Sequence, residues 1–445
     1  MKTFTLTHGF SLRTSKKASS SLVEAPRPDT VALLPGWIPY VKPRLLVKEG
    51  DAVKLGTPIF EDKRNPFVVF PSPGGGVVER IRFGPRRRID EVVIRLDEVE
   101  SCETFASIPP SKIAETEADT FRHLLIKGGA WPLLRSLPFR DHPSVEESPY
   151  HIIVTLGLAG GHQARADIAL AGEEEAFLNG LAILSRFSPR VHVIAPKKIG
   201  ALSQKIESCL TARIRGSYPA GDPGHYLYRI RKSPEENRSW YIEAQDLVAL
   251  ARFVTSGCHH TKRVYAVGGN AALRCRHVVS RLGAPVSLLG DGQAEGARHI
   301  GGTPFSGGYL PATGYMNLHH KGLTLLPPGD EEDTFGFLRG GYDRPSLSRT
   351  FFSVFNKRPL DLDCGFHGEE RPCINCSRCA TVCPVEILPQ FIMKCMGAGE
   401  VEEALAHGLL DCIECGLCSY VCPSKIELLE TLTQSKAQYR KERDG

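Results

Sequence analysis

The hydrophobic pattern divides the chain into a β-rich beginning, an alternating middle and a helical end. Between residues 30 and 98, short apolar runs are separated by Gly, Pro and Asp turns. Runs of this length between turn residues predict a small all-β unit. The predicted strands cover residues 31–34, 44–47, 58–60, 67–70, 76–81 and 91–96.

The middle of the chain alternates between strand-like and helix-like patterns. This alternation predicts an α/β layer with a largely parallel sheet. A further segment, from residue 262 to about 327, opens with an apolar strand and contains Gly-Gly turns, which predicts a small α+β module. The predicted helices cover 120–127, 173–187 and 245–255, and the predicted strands cover 151–156, 191–195, 240–242 and 263–267.

The last hundred residues read as mainly helical. Helices are predicted over 386–396 and 400–407, separated by Gly397 and Gly399. A final helix is predicted over about 425–441, with Ile426, Leu429 and Leu432 on one face.

Two cysteine motifs enclose the first two of these helices. Each reads C-x2-C-x2-C-x3-C-P, the spacing by which bacterial ferredoxins hold two [4Fe–4S] clusters. In that arrangement, the fourth cysteine of each motif ligates the other cluster. The predicted ligands are therefore Cys373, Cys376, Cys379 and Cys422 for cluster 1, and Cys412, Cys415, Cys418 and Cys383 for cluster 2.

Other uses of these thiols fit less well. Structural zinc sites usually have two C-x2-C pairs separated by a longer stretch, rather than four cysteines in eleven residues. Disulfides need an oxidising compartment, and the first residues do not read as a signal peptide. The remaining cysteines are scattered, and most are expected to be reduced thiols: Cys102, Cys209, Cys258, Cys275, Cys364 and Cys395.

Composition narrows the partners only slightly. The 445 residues suffice for two to four domains, and the net charge of +5 is small for that length. Short basic runs such as Arg86-Arg87-Arg88 are typical of solvated loops, so no nucleic-acid partner is expected. No stretch approaches the length of a membrane helix, and any membrane role is expected to come through a partner.

An α/β domain in an electron-transfer protein suggests a nucleotide-binding site, but the motifs of the middle domain do not support one. It contains no G-x-G-x-x-G, and its nearest glycine groups are Gly157-x-x-Gly160-Gly161 and Gly128-Gly129. Turns use such glycines equally well, so no dinucleotide site is assigned. The adjacent histidine pairs His259-His260 and His319-His320 are expected to be loop or surface residues rather than metal ligands.

Two sequence segments resemble a known structural module. Residues 47–58 and 71–78 resemble the barrel-sandwich hybrid of lipoyl and biotinyl carriers. Those carriers bear their prosthetic group on a lysine at a hairpin tip. The tip here is not a clear modification site, so the module is interpreted as structural.

The order of parts resembles two related families. These are the A subunit of the sodium-translocating NADH:quinone reductase and the C subunit of the Rnf complex. Residues 127–139, 179–186, 240–246 and 348–352 look like motifs of the reductase family. In the Rnf family, the first of these stretches is a glycine-rich loop that cradles flavin mononucleotide. Bulky Trp131-Pro132-Leu133 stands there in this chain, so the resemblance implies no flavin site.

The resemblance implies a multidomain α/β and α+β protein. Its expected parts are a barrel-sandwich hybrid, a degenerate flavin-site-like α/β domain, a β-grasp soluble-ligand-binding module and a helical dicluster ferredoxin domain. The boundaries expected for these four parts are 1–110, 111–258, 259–330 and 331–445.

The function implied is that of a peripheral subunit of an ion-translocating NADH:quinone oxidoreductase. Two [4Fe–4S] clusters would relay electrons on the cytoplasmic face of the bacterial inner membrane, with other subunits of the complex and a quinone as partners. Ser377, Arg378 and Ser419 beside the ligands are expected to tune the clusters. The alternatives are an Rnf-like flavin-containing NADH dehydrogenase subunit and a scaffold with inert clusters.

Overall fold

The fold is that of a computed structural model. It describes residues 1–12, 14, 16–160, 162–290, 293–329, 338, 340–343, 352–365 and 369–444. The β-strands of the described residues are β1 Lys2–Thr5, β2 Leu22–Glu24, β3 Thr30–Leu33, β4 Pro43–Leu45, β5 Ala52–Val53, β6 Pro58–Asp62, β7 Asn65–Pro71, β8 Gly76–Phe83, β9 Ile89–Leu96, β10 Arg135–Ser136, β11 Ile152–Thr155, β12 Val191–Pro196, β13 Ala212–Arg215, β14 Trp240–Glu243, β15 Lys262–Gly268, β16 Arg276–Arg281, β17 Arg298–Gly301, β18 Gly308–Leu310 and β19 Gly322–Leu326. The helices are α1 Ala118–Lys127, α2 Ala166–Ala169, α3 Glu174–Phe187, α4 Gln204–Ser208, α5 Pro223–Ile230, α6 Ala244–Ser256, α7 Val286–Leu289, α8 Arg378–Val382, α9 Pro389–Ala398, α10 Val401–Ala406, α11 Leu417–Tyr420 and α12 Leu428–Asp444.

The predicted β unit is present, and each of its six predicted strands overlaps a strand of the structure. It consists of two small sheets, with strand orders β3-β9-β8-β5 and β4-β6-β7. Phe60 and Phe70 stack in its core with ring centroids 4.6 Å apart. Val31, Val78 and Ile94 are fully buried beside them.

The α/β domain is built on a six-stranded sheet with the order β1-β13-β12-β11-β14-β10. All its neighbouring pairs are parallel except β10 with β14. Ile152 and Val154 share a core with residues of α3 and α6, whereas Ile153 shares a different core with Tyr226 and Leu227 of α5. Helices therefore cover both faces of the sheet, as parallel sheets require.

The third module is a second six-stranded sheet, with the order β18-β17-β19-β15-β16-β2. It mixes parallel and antiparallel pairs. Tyr265, Val278, Met316, Leu323 and Leu325 form its core. The α+β prediction agrees with this sheet, and the β-grasp label stays a prediction.

The first 24 residues do not join the β unit with which the sequence pattern grouped them. Strand β1 pairs in parallel with β13 of the α/β sheet, and β2 pairs in parallel with β16 of the third module. Each extends an edge that would otherwise expose unpaired backbone groups. The amino-terminal segment thus ties the α/β domain to the third module.

The cysteine motifs lie in the helical end, as predicted. Helix α9 begins at Pro389 rather than at residue 386, and α12 begins at Leu428 rather than at 425. The reason is the same in both places: Glu386 and Lys425 adopt φ angles of 56° and 57°, outside the helical region.

The glycines of the expected vestigial flavin loop serve packing. A side chain at Gly128 would overlap the Phe253 ring, and Trp131 is fully buried in the core of the α/β domain. The Trp131 indole donates a 2.9 Å hydrogen bond to the Pro143 carbonyl. Gly128 and Trp131 are therefore fixed by packing inside the α/β domain.

Candidate iron-sulfur site

The two cysteine motifs repeat the same backbone course. The residue before the second cysteine has a positive φ in each motif, 58° at Asn375 and 56° at Glu414. The residue after that cysteine does too, 57° at Ser377 and 77° at Gly416. Left-handed residues curl a short loop tightly, and each loop leads directly into a short helix, α8 or α11. Both motifs therefore present three closely spaced cysteines in the same way.

The first cavity brings together cysteines from both motifs. Cys373, Cys376 and Cys379 of the first motif line it together with Cys422 of the second, and it encloses about 340 Å³ of free space. Ile426 and Leu428 contribute to its walls. Cys376 is the exposed member of the eight cysteines, and the neighbouring Ile374 is 68% exposed. This cavity therefore lies at the surface of the protein.

The second cavity has the reciprocal composition. Cys412, Cys415 and Cys418 line it with Cys383 of the first motif, around about 330 Å³ of free space. Apolar side chains complete its lining: Val385, Ile387, Ile413, Leu417, Leu429 and Leu432. The structure thus distributes the eight cysteines between two cavities in the two sets of four expected from the spacing.

The chemistry of these cavities fits cubane clusters. Each offers four thiols inside an apolar shell, the environment in which [4Fe–4S] clusters are held. Burial raises the pKa of the Cys383 thiol to about 11 and also raises the pKa of Cys412, Cys415 and Cys418. Thiols held protonated by burial release protons when they ligate iron.

The same cysteines do not converge as ligands of a single ion would. Among the described residues, no three Cys, His, Asp or Glu side chains are placed to bind one metal ion. In a cube, each thiolate binds a different iron, so its four ligands stand further apart than those of tetrahedral zinc.

Cluster 2 would lie against the rest of the protein. The Tyr218 hydroxyl donates a 2.9 Å hydrogen bond to the Cys415 carbonyl, and its ring stacks on Phe305 at 4.9 Å. From the terminal helix, the Lys436 ammonium donates to the carbonyls of Cys412 and Pro138, at 3.2 and 2.8 Å. Contacts from two separate parts of the chain, Tyr218 and Lys436, therefore fix the second motif.

A buried ion pair lies beside this contact. Arg140 donates two hydrogen bonds to the Asp222 carboxylate, of 2.8 and 2.9 Å. The same carboxylate caps α5 by accepting from the backbone N–H groups of Gly224 and His225. Nearby, Arg231 pairs with Asp411 immediately before the second motif. The pair of Arg231 with Asp411 joins the α/β domain to the cluster-binding domain.

Of the three expected tuning residues, one has a clear local role. The Ser419 hydroxyl accepts a 2.8 Å hydrogen bond from the Leu429 N–H at the start of α12. Ser377 is exposed, and Arg378 is half-buried. Sequence reasoning missed Gln390, whose side-chain oxygen accepts from the Cys379 thiol at 2.9 Å, and it missed Lys436.

Two of the scattered cysteines are not free. Cys102 and Cys258 form a disulfide across 156 residues, whereas the expectation that most of the scattered cysteines are reduced thiols holds for the other four. It joins the segment after the β unit to the end of α6. The other four are free thiols: Cys209, Cys275, Cys364 and Cys395.

The adjacent histidine pairs lie in loops, as expected, but not on the open surface. His259 and His260 are half-buried, and His320 is only 9% exposed. Burial lowers the pKa of His260 to about 4 and that of His320 to about 3. Both are therefore neutral at pH 7.

A separate cleft of about 560 Å³ lies between the β unit, the α/β domain and the third module. Its polar lining includes His259, His260 and Arg263. Arg263 is 1% exposed, and its Nε has no hydrogen-bond partner among the described residues. The rest of the lining is mostly apolar and includes Leu33, Phe70, Ala130, Leu133, Leu282 and Leu318.

Comparison with known proteins identifies three parts of the chain. Residues 4–97 match the NqrA N-terminal barrel-sandwich hybrid domain, and residues 116–259 match the NqrA second alpha/beta domain. Residues 372–426 match a 4Fe-4S dicluster domain. The chain is 31% identical over 403 residues to the A subunit of the Na(+)-translocating NADH-quinone reductase of Pseudomonas aeruginosa, covering 88% of this chain and 89% of the relative.

The chain belongs to the NqrA family, the A subunits of the Na⁺-translocating NADH-quinone reductases. Its relatives from Neisseria meningitidis and Tolumonas auensis are each 30% identical, covering 91% and 92% of both chains. The expected family resemblance is thereby confirmed, and the Rnf-like alternative is not favoured. Among solved structures, an NAD⁺-reducing [NiFe]-hydrogenase matches with 13% identity, covering 74% of this chain and 63% of the hydrogenase chain, at a TM-score of 0.38, too low to support an argument.

The NqrA-like phrase at residues 348–352 lies, apart from Phe352, outside the described residues. No helix among the residues that the structure describes has the length and apolar character needed to span a bilayer.

Proposed function

We propose that this chain is a peripheral electron-transfer subunit of a sodium-translocating NADH:quinone oxidoreductase. Two [4Fe–4S] clusters relay electrons through it, one held by Cys373, Cys376, Cys379 and Cys422, the other by Cys412, Cys415, Cys418 and Cys383. The observation that carries the proposal is the reciprocal lining of the two cavities. Each motif supplies three ligands to one cavity and its last cysteine to the other.

The arrangement suits transfer between clusters. Because Cys383 and Cys422 cross between motifs, the two cavities belong to one compact unit. The exposed Cys376 loop gives a partner access to cluster 1, while cluster 2 faces the α/β domain. Other subunits of the complex provide the hydride chemistry and the ion pathway, and the chain binds them on the cytoplasmic face of the bacterial inner membrane.

Single cysteine variants test the relay in the assembled complex. We expect Cys376→Ser and Cys415→Ser each to abolish NADH-driven quinone reduction while the chain still assembles with its partners. Cys209→Ser is the matched control, because this free cysteine lies on the α/β domain outside both cavities. Unchanged turnover in both motif variants would show that the clusters only stabilise the chain.

The cleft with Arg263 supports a second part of the proposal, binding of a quinone head group. Its walls are mostly apolar, and the neutral His260 lines it together with Arg263, whose guanidinium pairs with Asp246 at 3.0 Å, so the cleft suits a flat ring with carbonyl oxygens. Ala249 of α6 lines the cleft, whereas the cluster domain contacts α5 on the opposite face of the sheet. Quinone binding here is therefore tested separately from the relay.

A short-chain ubiquinone analogue is the probe for this cleft, and quenching of tryptophan fluorescence is the readout. Trp131 directly follows Ala130, which lines the cleft. We expect Arg263→Gln to weaken binding at least tenfold, and Lys262→Gln, at an exposed neighbouring position, to leave it unchanged. Equal affinities in the two variants would place the quinone elsewhere.

A further inference from the structure

The surroundings of the two clusters differ in one buried charge. Lys436 of α12 has a fully buried side chain, with 0% exposure. Its ammonium donates to the Pro138 carbonyl, to the Cys412 carbonyl and to the Glu414 carboxylate. These acceptors use all three of its N–H groups. A positive charge is therefore fixed against the backbone of a cluster 2 ligand.

The negative partner of Lys436 is less well shielded from water. The Glu414 side chain is 20% exposed, so solvent screens the carboxylate more than it screens the buried ammonium. Neighbouring charges on this side form closed pairs, namely Arg140 with Asp222, Arg231 with Asp411 and Arg440 with Asp141. The uncompensated part of the local field at cluster 2 is therefore positive.

Cluster 1 has a similar lysine in a different environment. Lys394 of α9 donates a 3.0 Å hydrogen bond to the side-chain oxygen of Asn375, which occupies the place of Glu414 in the first motif. Lys394 is exposed, so water screens its charge. The two motifs thus share a lysine contact that is buried at cluster 2 and exposed at cluster 1.

We infer that Lys436 holds cluster 2 at a higher reduction potential than cluster 1, so that electrons run inward from the exposed cluster to the buried one. The inference rests on the proposed relay. A cluster gains a negative charge when it is reduced, and net charge and burial are among the factors that set cluster potentials. A buried cation at one ligand favours the reduced form. The reducing partner then docks at the Ile374–Ser377 loop.

The test compares variants that remove the positive charge or the negative charge of the Lys436–Glu414 contact. The experiment is a redox titration of the anaerobically purified, cluster-loaded chain, followed by EPR, with the signal of cluster 1 assigned by its loss in Cys376→Ser. We expect Lys436→Met to disfavour reduction of cluster 2 at least tenfold, a fall of ~59 mV for a one-electron couple. We expect Glu414→Gln to shift the same cluster upward and Lys436→Arg to leave it near its original potential.

Lys394→Met is the matched control, expected to shift neither cluster by as much as Lys436→Met shifts cluster 2. If Lys436 only fastens the domains, Lys436→Met and Glu414→Gln will lower thermal stability with both potentials unmoved, and the inference is wrong. It is equally wrong if cluster 2 titrates below cluster 1. If Lys436→Met does not accumulate, the direction of the shift in Glu414→Gln still decides the sign. Clusters that titrate as expected but leave quinone reduction independent of Cys376 would contradict the relay, and with it the inward electron flow, but not the effect of Lys436 on the potential of cluster 2.

Discussion

Replacing Gly416 by alanine tests whether the second cysteine motif is held against the third module by direct backbone contact. Gly416 lies between Cys415 and Cys418, at a φ of 77°. A methyl group at its Cα would overlap the carbonyl oxygen of Phe305. Ser377 occupies the same place in the first motif with a φ of 57°, so a side chain as such is compatible with this turn. The contact with Phe305 is what demands glycine at 416.

The expected cost has two parts. A non-glycine residue in the left-handed region costs about 1 kcal/mol. Forcing a methyl group into a packed contact costs about 1–3 kcal/mol, because the backbone of Phe305 must move and cannot rotate away as a side chain would. We expect Gly416→Ala to lower the free energy of unfolding by about 3 kcal/mol. Iron should be lost preferentially from cluster 2, whose ligands flank the substitution.

The assay is anaerobic urea unfolding of the cluster-loaded chain, together with its iron and sulfide content. Gly397→Ala is the matched control, because Gly397 lies in α9 and nothing approaches its Cβ position within 4 Å. Alanine in a helix is expected to stabilise by about 0.5–1 kcal/mol there. If both variants unfold at the same urea concentration and retain equal iron, the contact with Phe305 does not hold the motif.

Asp222→Asn leaves the Arg140 guanidinium buried without its counter-ion, and we expect it to lower the free energy of unfolding in urea by about 3–5 kcal/mol. The double variant Arg140→Met/Asp222→Asn should recover much of this loss. No recovery in the double variant would contradict the pairing. Burial lowers the pKa of His225 to about 4, so between pH 6.5 and pH 4 the unfolded chain binds a proton that the native chain does not, and stability falls as pH falls through this window. In His225→Phe, the loss of stability between pH 6.5 and pH 4 should be smaller by about 3 kcal/mol. A pH profile of stability that does not change in this variant would contradict the role of His225. Reduction of the Cys102–Cys258 disulfide should lower the unfolding free energy by about 4 kcal/mol, a difference that should vanish in Cys102→Ser.

Local patterns predicted the parts of this molecule whose structure is decided locally. The strands of the β unit are short apolar runs between turn residues, and the three closely spaced cysteines of each motif line one cavity because a short loop links them. The sequence pattern placed the first residues of α9 and α12 about three residues too early. Nothing in the pattern indicates that Glu386 and Lys425 adopt the left-handed conformation.

Features decided by distant partners could not be predicted in this way. Strands β1 and β2 have mostly exposed side chains, so they lack the amphipathic signal of a strand, and their pairing depends on sheet edges far along the chain. Lys436 lies in a polar helix and looks like a surface residue. It is buried only because the Pro138 turn and the second motif close over it. Cys102 and Cys258 are paired across 156 residues, with no spacing rule to link them.

The most direct test of the relay is anaerobic purification of the lone chain, with iron, sulfide and flavin assayed together and an EPR spectrum of the reduced form. The account predicts about eight iron atoms and as many sulfides per chain, no flavin, and the signals of two reduced [4Fe–4S] clusters. Iron accompanied by stoichiometric flavin that NADH bleaches would contradict it, and would make the chain itself an NADH dehydrogenase.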